Sequence, residues 1–160
     1  LWPDHRQRDR LRDVINSVAK TVAGKAVDRR DWHVTLAFIG AFPELRVPYL
    51  LERAAEIDVE PFRLNFDRLE FWPRPKVASL CAAMVPSEWQ SRVVSLNAGL
   101  ADLGIEPEDR TYRPHITVAR NARPFTTERL APPRVTEWSS LALVGSLSVP
   151  RRAYYEPRHK

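Results

Sequence analysis

The sequence predicts an α+β fold, with helices on the outer faces of antiparallel sheets. Three observations carry the prediction. Two helical periods open on capping signals, two short alternating strands each carry the pattern His-x-Thr, and the distance from cap to histidine is nearly the same in both halves.

Asp4 and Gln7 have capping-box spacing, and Leu11, Val14, Ile15, Val18 and Val22 follow at helical intervals before Gly24. This predicts a helix of about 18 residues. The stretch from Trp32 to Gly40 alternates and is rich in strand formers, so it reads as a strand. Pro48 suits the first turn of a second helix running through Leu50, Leu51, Ala54 and Ile57. Phe62-Arg63-Leu64-Asn65-Phe66 alternates strictly, Leu69 and Phe71 extend it, and Pro73 and Pro75 end it. Val77 to Val85 then predicts the partner strand of a hairpin.

Ser87 and Gln90 repeat the capping spacing ahead of Trp89, Val93, Leu96, Leu100 and Leu103, with Gly104 as the stop. After the second histidine strand, Pro124, Pro132 and Pro133 predict a connection, Trp138 to Val149 a last strand region, and Arg151 to Lys160 a polar, basic tail. The separation is 29 residues from Asp4 to His33 and 28 from Ser87 to His115. Self-similarity of this kind marks duplicated units, here one domain spanning residues 1–160. Packed about a pseudo-twofold axis, the two halves would bring the histidine strands together across a central cleft.

Composition narrows the class. At 44% hydrophobic and 28% charged, the chain is ordinary for a soluble domain. No apolar run approaches a membrane span, and Leu1-Trp2-Pro3-Asp4-His5-Arg6 lacks the stretch of a signal peptide, so a cytoplasmic protein without membrane association is expected. One cysteine, Cys81, excludes an intrachain disulfide and a thiolate metal cluster. Its neighbours Ser79-Leu80 and Ala82-Ala83-Met84 predict a buried strand thiol rather than a nucleophile. The net charge of +5 comes mainly from arginine, which grips phosphate bidentately and favours a polyanionic partner. Genomic base composition accounts for the arginine excess equally well.

Side chains alternate along a strand, so His33 shares a face with Thr35, and His115 with Thr117. One imidazole can act as a base while the other acts as an acid, which suits in-line displacement at phosphorus. The threonine hydroxyls are placed to hydrogen-bond the non-bridging oxygens where charge develops. Neither segment has His-Glu-x-x-His, and no acidic residue lies within either motif, so no metal and no other cofactor is expected. Gly-x-Ser-x-Gly and a glycine-rich phosphate loop are also missing.

The segments Trp32-His33-Val34-Thr35-Leu36-Ala37-Phe38-Ile39-Gly40 and Tyr112-Arg113-Pro114-His115-Ile116-Thr117-Val118-Ala119-Arg120 resemble the two motifs of the two-histidine phosphoesterases. They are most similar to the bacterial and archaeal LigT/ThpR-like RNA 2′,3′-cyclic phosphodiesterases, also described as 2′-5′ RNA ligases. Leu1-Trp2-Pro3 resembles the end of that family's first strand, and Tyr154-Tyr155-Glu156-Pro157 its C-terminal end.

The resemblance implies a bilobal fold of two pseudo-symmetric lobes around a cleft, and metal-independent hydrolysis of a terminal 2′,3′-cyclic phosphate to a 2′-phosphate. Carried over, His33 is the proton donor, His115 the proton acceptor, and Thr35, Thr117 and Arg120 bind the substrate. The expected partner is RNA with a cyclic phosphate end, tRNA fragments included, acted on by a monomer. The His-x-Thr pair selects chemistry alone. A phosphodiesterase for small cyclic nucleotides and a non-catalytic module that holds RNA ends therefore remain alternatives. Trp72-Pro73-Arg74-Pro75-Lys76 reads either as a rim that meets RNA or as an exposed turn. Trp32 and Tyr112 read as core aromatics or as base-stacking platforms.

Overall fold

A computed structural model describes residues 1–57, 59–107, 110–149 and 152–158. The first helical period becomes α1 (His5–Thr21), with Leu11, Val14, Ile15 and Val18 buried. Its capping box forms as the sequence predicts, Asp4 accepting from the Gln7 N–H while the Gln7 side chain accepts from the Asp4 N–H. A short β1 (Lys25–Ala26), a 3-10 turn at Arg29–Asp31 and another at Glu44–Arg46 lead to α2 (Val47–Ala55), which carries proline in its first turn as expected. There follow β2 (Phe62–Trp72), β3 (Val77–Ala82), α3 (Ser87–Ala101), β4 (His115–Arg120), β5 (Glu128–Trp138), β6 (Leu143–Val149) and β7 (Arg152–Arg158).

One antiparallel sheet has the order β1-β4-β3-β2-β5, and a second pairs β6 with β7. The large sheet and α1 bury the main core, which includes Leu64, Phe66, Leu80, Ile116, Val118 and Trp138. A smaller core joins Leu50 of α2, Leu100 of α3 and Ile105, with Ala37, Ile39 and Leu143 packed against it. α3 bridges the two, sending Trp89 and Val93 into the first core and Leu96 and Leu100 into the second. The halves also trade elements: β1, from the first half, zips onto β4 of the second through Lys25↔Arg120 and Ala26↔Ala119.

Several elements differ from expectation. Gly24 is not the helix stop, since α1 ends at Thr21 with an extended Val22. Glycine is needed there because a Cβ would meet the Arg120 carbonyl oxygen at 2.9 Å and the Ala122 backbone at 3.1 Å. Ser87 does not cap α3: it lies inside the first turn, and the N-cap is Pro86. The cap-to-histidine distance is then 29 residues in both halves, from Asp4 to His33 and from Pro86 to His115. Gly104 does end α3, with φ +79° and the Gly104→Ala101 and Ile105→Leu100 bonds of a Schellman motif.

The hairpin partner stops at Ala82 rather than at Val85. The Pro-rich connection is in part a strand, β5, which tolerates Pro132 and Pro133 because it is an edge strand and they fall where its register with β2 breaks. The basic tail contains β7, paired along its length with β6.

The largest departure is the segment from Trp32 to Gly40, which forms no strand ladder. A ladder needs a partner for its backbone groups, and among the described residues the backbone bonds of this segment run from Trp32 to Arg29 and between Val34 and Leu1. A bend at Leu36 also breaks the alternation, leaving Phe38 73% exposed instead of in the core. Val34 remains fully buried, as alternation requires.

Candidate active site

His115 opens β4, and Thr117 follows on the same face. Across β3 the paired rows are Arg68–Cys81–His115, Glu70–Ser79–Thr117 and Trp72–Val77–Arg120, and side chains within a row share a face. Strict alternation from Thr117 would turn Arg120 to the other side. It does not, because the β3–β4 register shifts between Ala78 and Ser79, so Thr117 pairs with Ser79 while Ala119 already pairs with Ala78. The extra residue in β4 buries Val118 and Ala119 consecutively and returns Arg120 to the face of His115 and Thr117.

His33 reaches the same cleft by another route. The 3-10 turn capped by Asp28 sets up Trp32, whose buried ring donates Nε1–H to the Val27 carbonyl at 3.2 Å. Leu1 then holds Val34 by two backbone bonds, one of 3.0 Å from the Val34 N–H and one of 2.6 Å from the Leu1 nitrogen. His33 and Thr35 are left on the cleft side.

The two imidazoles are held alike. His33 Nδ1 lies 2.7 Å from the Asp31 carbonyl, and His115 Nδ1 lies 2.9 Å from the Arg113 carbonyl, in each case two residues upstream. A carbonyl only accepts, so Nδ1 carries a proton in both rings and Nε2 is the atom that exchanges one. Each ring also has a tryptophan: Trp2 stacks on His33 at 5.4 Å and 15°, and Trp72 meets His115 at 4.3 Å and 50°. Burial is the main cause pushing His33 below the ordinary 6.5. The bond from the Asp31 carbonyl opposes this, while His115 and Arg120 act with burial.

A cavity of about 800 Å³ opens here. His33, Thr35, Thr117 and Arg120 line it, together with apolar side chains such as Leu36 and Phe38. His115 is not in its wall. It joins the group through Thr117 on its own strand face. Among the described residues no group of three or more His, Cys, Asp or Glu side chains is placed to hold a metal. Cys81 is buried beside His115 in the pairing, and burial pushes its thiol up to about 12, which fits a packing role. Trp32 is core and not a stacking platform.

The sequence reading missed Glu70 and Arg113 and left Trp72 as part of either an RNA-facing rim or an exposed turn. Trp72 Nε1 and an Arg113 guanidinium nitrogen both donate to Glu70 Oε2, at 3.0 and 2.6 Å. The signal was present: Arg68, Glu70 and Trp72 alternate with the apolar Leu69 and Phe71, which places them on the opposite face of one strand.

Two imidazoles held alike, each followed by a threonine that lines one cleft of an antiparallel α+β fold, are the marks of a two-histidine phosphoesterase. Comparison with known proteins agrees. Residues 1–79 match the family model described as LigT like Phosphoesterase. A protein of Archaeoglobus fulgidus named RNA 2′,3′-cyclic phosphodiesterase is 28% identical over 121 residues, covering 72% of this chain and 68% of that one. One of the same name from Aeropyrum pernix is 34% identical over 115 residues, covering 69% and 64%. In fold, Escherichia coli LigT, solved in complex with 3′-AMP, superposes with a TM-score of 0.85 at 24% identity, covering 99% of this chain and 91% of that one. The chain belongs to the LigT-like phosphoesterase family. Among the described residues no helix is long and apolar enough to cross a membrane.

Proposed function

We propose that this chain hydrolyses the terminal 2′,3′-cyclic phosphate of RNA to a 2′-phosphate, with the two histidines as its acid and base. The observation that carries the reading is the matched Nδ1–carbonyl bond at His33 and His115, which commits both Nε2 atoms to proton transfer. His115 takes a proton from water as the water oxygen attacks phosphorus. The P–O3′ bond breaks, and His33 gives its proton to the departing 3′ oxygen. Thr35 and Thr117 donate hydrogen bonds to the non-bridging oxygens, and Arg120 offsets their charge. No metal enters the scheme. A 5′-hydroxyl in place of water would form a 2′-5′ linkage by the same two transfers.

Two curated relatives carry the name of this activity, and the fold neighbour was crystallised with 3′-AMP, a nucleotide of the size the cleft must admit. Both histidines come from one chain, so a monomer suffices. The test is product analysis: an oligonucleotide ending in a 2′,3′-cyclic phosphate, incubated in EDTA, should yield a 2′-phosphate and a free 3′-hydroxyl. A 3′-phosphate product, or loss of activity in EDTA, would contradict the assignment.

A further inference from the structure

Glu70 is an acid on the cleft side of β2, only 9% exposed. A buried carboxylate is costly unless its oxygens are satisfied, and one broken partner leaves the charge stranded. Its Oε2 accepts from Trp72 Nε1 at 3.0 Å and from Arg113 at 2.6 Å, while Arg68 stands 4.0 Å from Oε1. These partners lie on separate pieces of chain, the end of β2 and the loop before β4. Both of those pieces touch His115. The Arg113 carbonyl accepts from Nδ1 at 2.9 Å, and the Trp72 ring packs on the imidazole at 4.3 Å between centroids. The Arg113 guanidinium also lies over the Trp72 ring, 5.4 Å from its centroid, closing the circuit.

We infer that Glu70 is a positioning residue for His115, tying Trp72 and Arg113 together so that one fixes the tautomer of the imidazole and the other its tilt. The carbonyl bond alone fixes which nitrogen holds the proton but lets the ring swing about it. The indole face removes that freedom, and Glu70 holds the indole by its N–H. A reacting group displaced by about 1 Å loses on the order of 100-fold in rate, so a clamp made at second hand still has leverage. The inference rests on the proposed function in taking His115 as a reacting group.

The test uses the full chain, an oligonucleotide ending in a 2′,3′-cyclic phosphate and the variant Glu70→Gln, which keeps the shape and loses the charge. Glu70 is nearly buried and outside the cavity wall, so kcat should fall about tenfold, part of the loss a full 1 Å displacement causes, with KM within about twofold. Imidazole ¹⁵N spectra of His115 should show the Nδ1–H form losing its dominance. Unchanged kcat together with an unchanged tautomer overturns the inference. Should Glu70→Gln fail to fold, Trp72→Phe keeps a ring on His115 while removing the N–H, and the same two readouts apply. If the wild-type chain turns over no cyclic phosphate the proposed function fails, and the ¹⁵N comparison still decides whether Glu70 sets the tautomer.

Discussion

At each imidazole the proton on Nδ1 is already spoken for by a carbonyl, so the pH behaviour of the enzyme is that of two Nε2 atoms. In the proposed mechanism His33 is the donor, which works only when protonated, so activity is lost as pH rises through its pKa. Burial lowers that pKa below 6.5, so the alkaline limb of kcat/KM is expected below pH 6.5. The residual activity of His115→Ala should keep this falling limb alone, and a rising limb there would reverse the two roles. The proposed pair His33 and His115 came from the threonine two residues on from each, and the shared strand face which that spacing predicts exists in β4 alone. That Arg120 lines the cavity was suggested only by resemblance, since its parity is reset by the extra residue in β4. Removing one hydrogen-bond donor to a developing oxyanion costs about 100-fold in kcat or more, so Thr35→Val and Thr117→Val should each show a loss of that size by steady-state kinetics.

Among the elements, α1 is the best specified, by its period and by a capping box that also reaches the sheet: the Gln7 side-chain amide donates to the Glu137 carbonyl of β5. Asp4→Ala is expected to cost about 1 kcal/mol in urea unfolding. Gly24→Ala presses a methyl group against the Arg120 carbonyl and the Ala122 backbone, neither of which can rotate away. Overpacking of this kind costs about 1–3 kcal/mol, and because it moves the backbone of a site residue, activity should fall with stability. The strand at His33 and the cap at Ser87 failed as predictions for one reason. Alternation and spacing describe a local chance of structure, but a ladder needs a neighbour and a cap needs the helix to begin one residue later. β5 escaped because prolines argue against a central strand and say little about an edge.

For the whole molecule, the duplicated unit survives in a stricter form than its sequence suggests, with 29 residues from N-cap to histidine in each half. What the sequence could not convey is the exchange between halves. β1 edges the sheet of β4, and α3 joins both cores, so the two histidines are set against each other by shared elements and not by two independent lobes. That cross-bracing brings His33 and Thr35 of one half and Thr117 and Arg120 of the other to one cleft. The most direct measurement of the central claim is the rate at which wild type, His33→Ala and His115→Ala open a terminal 2′,3′-cyclic phosphate on an oligonucleotide in EDTA. General acid or base catalysis is worth about 100- to 10,000-fold, so wild type should turn over and each variant should lose at least about 100-fold. Equal rates for the three proteins, or no turnover by wild type, would contradict it.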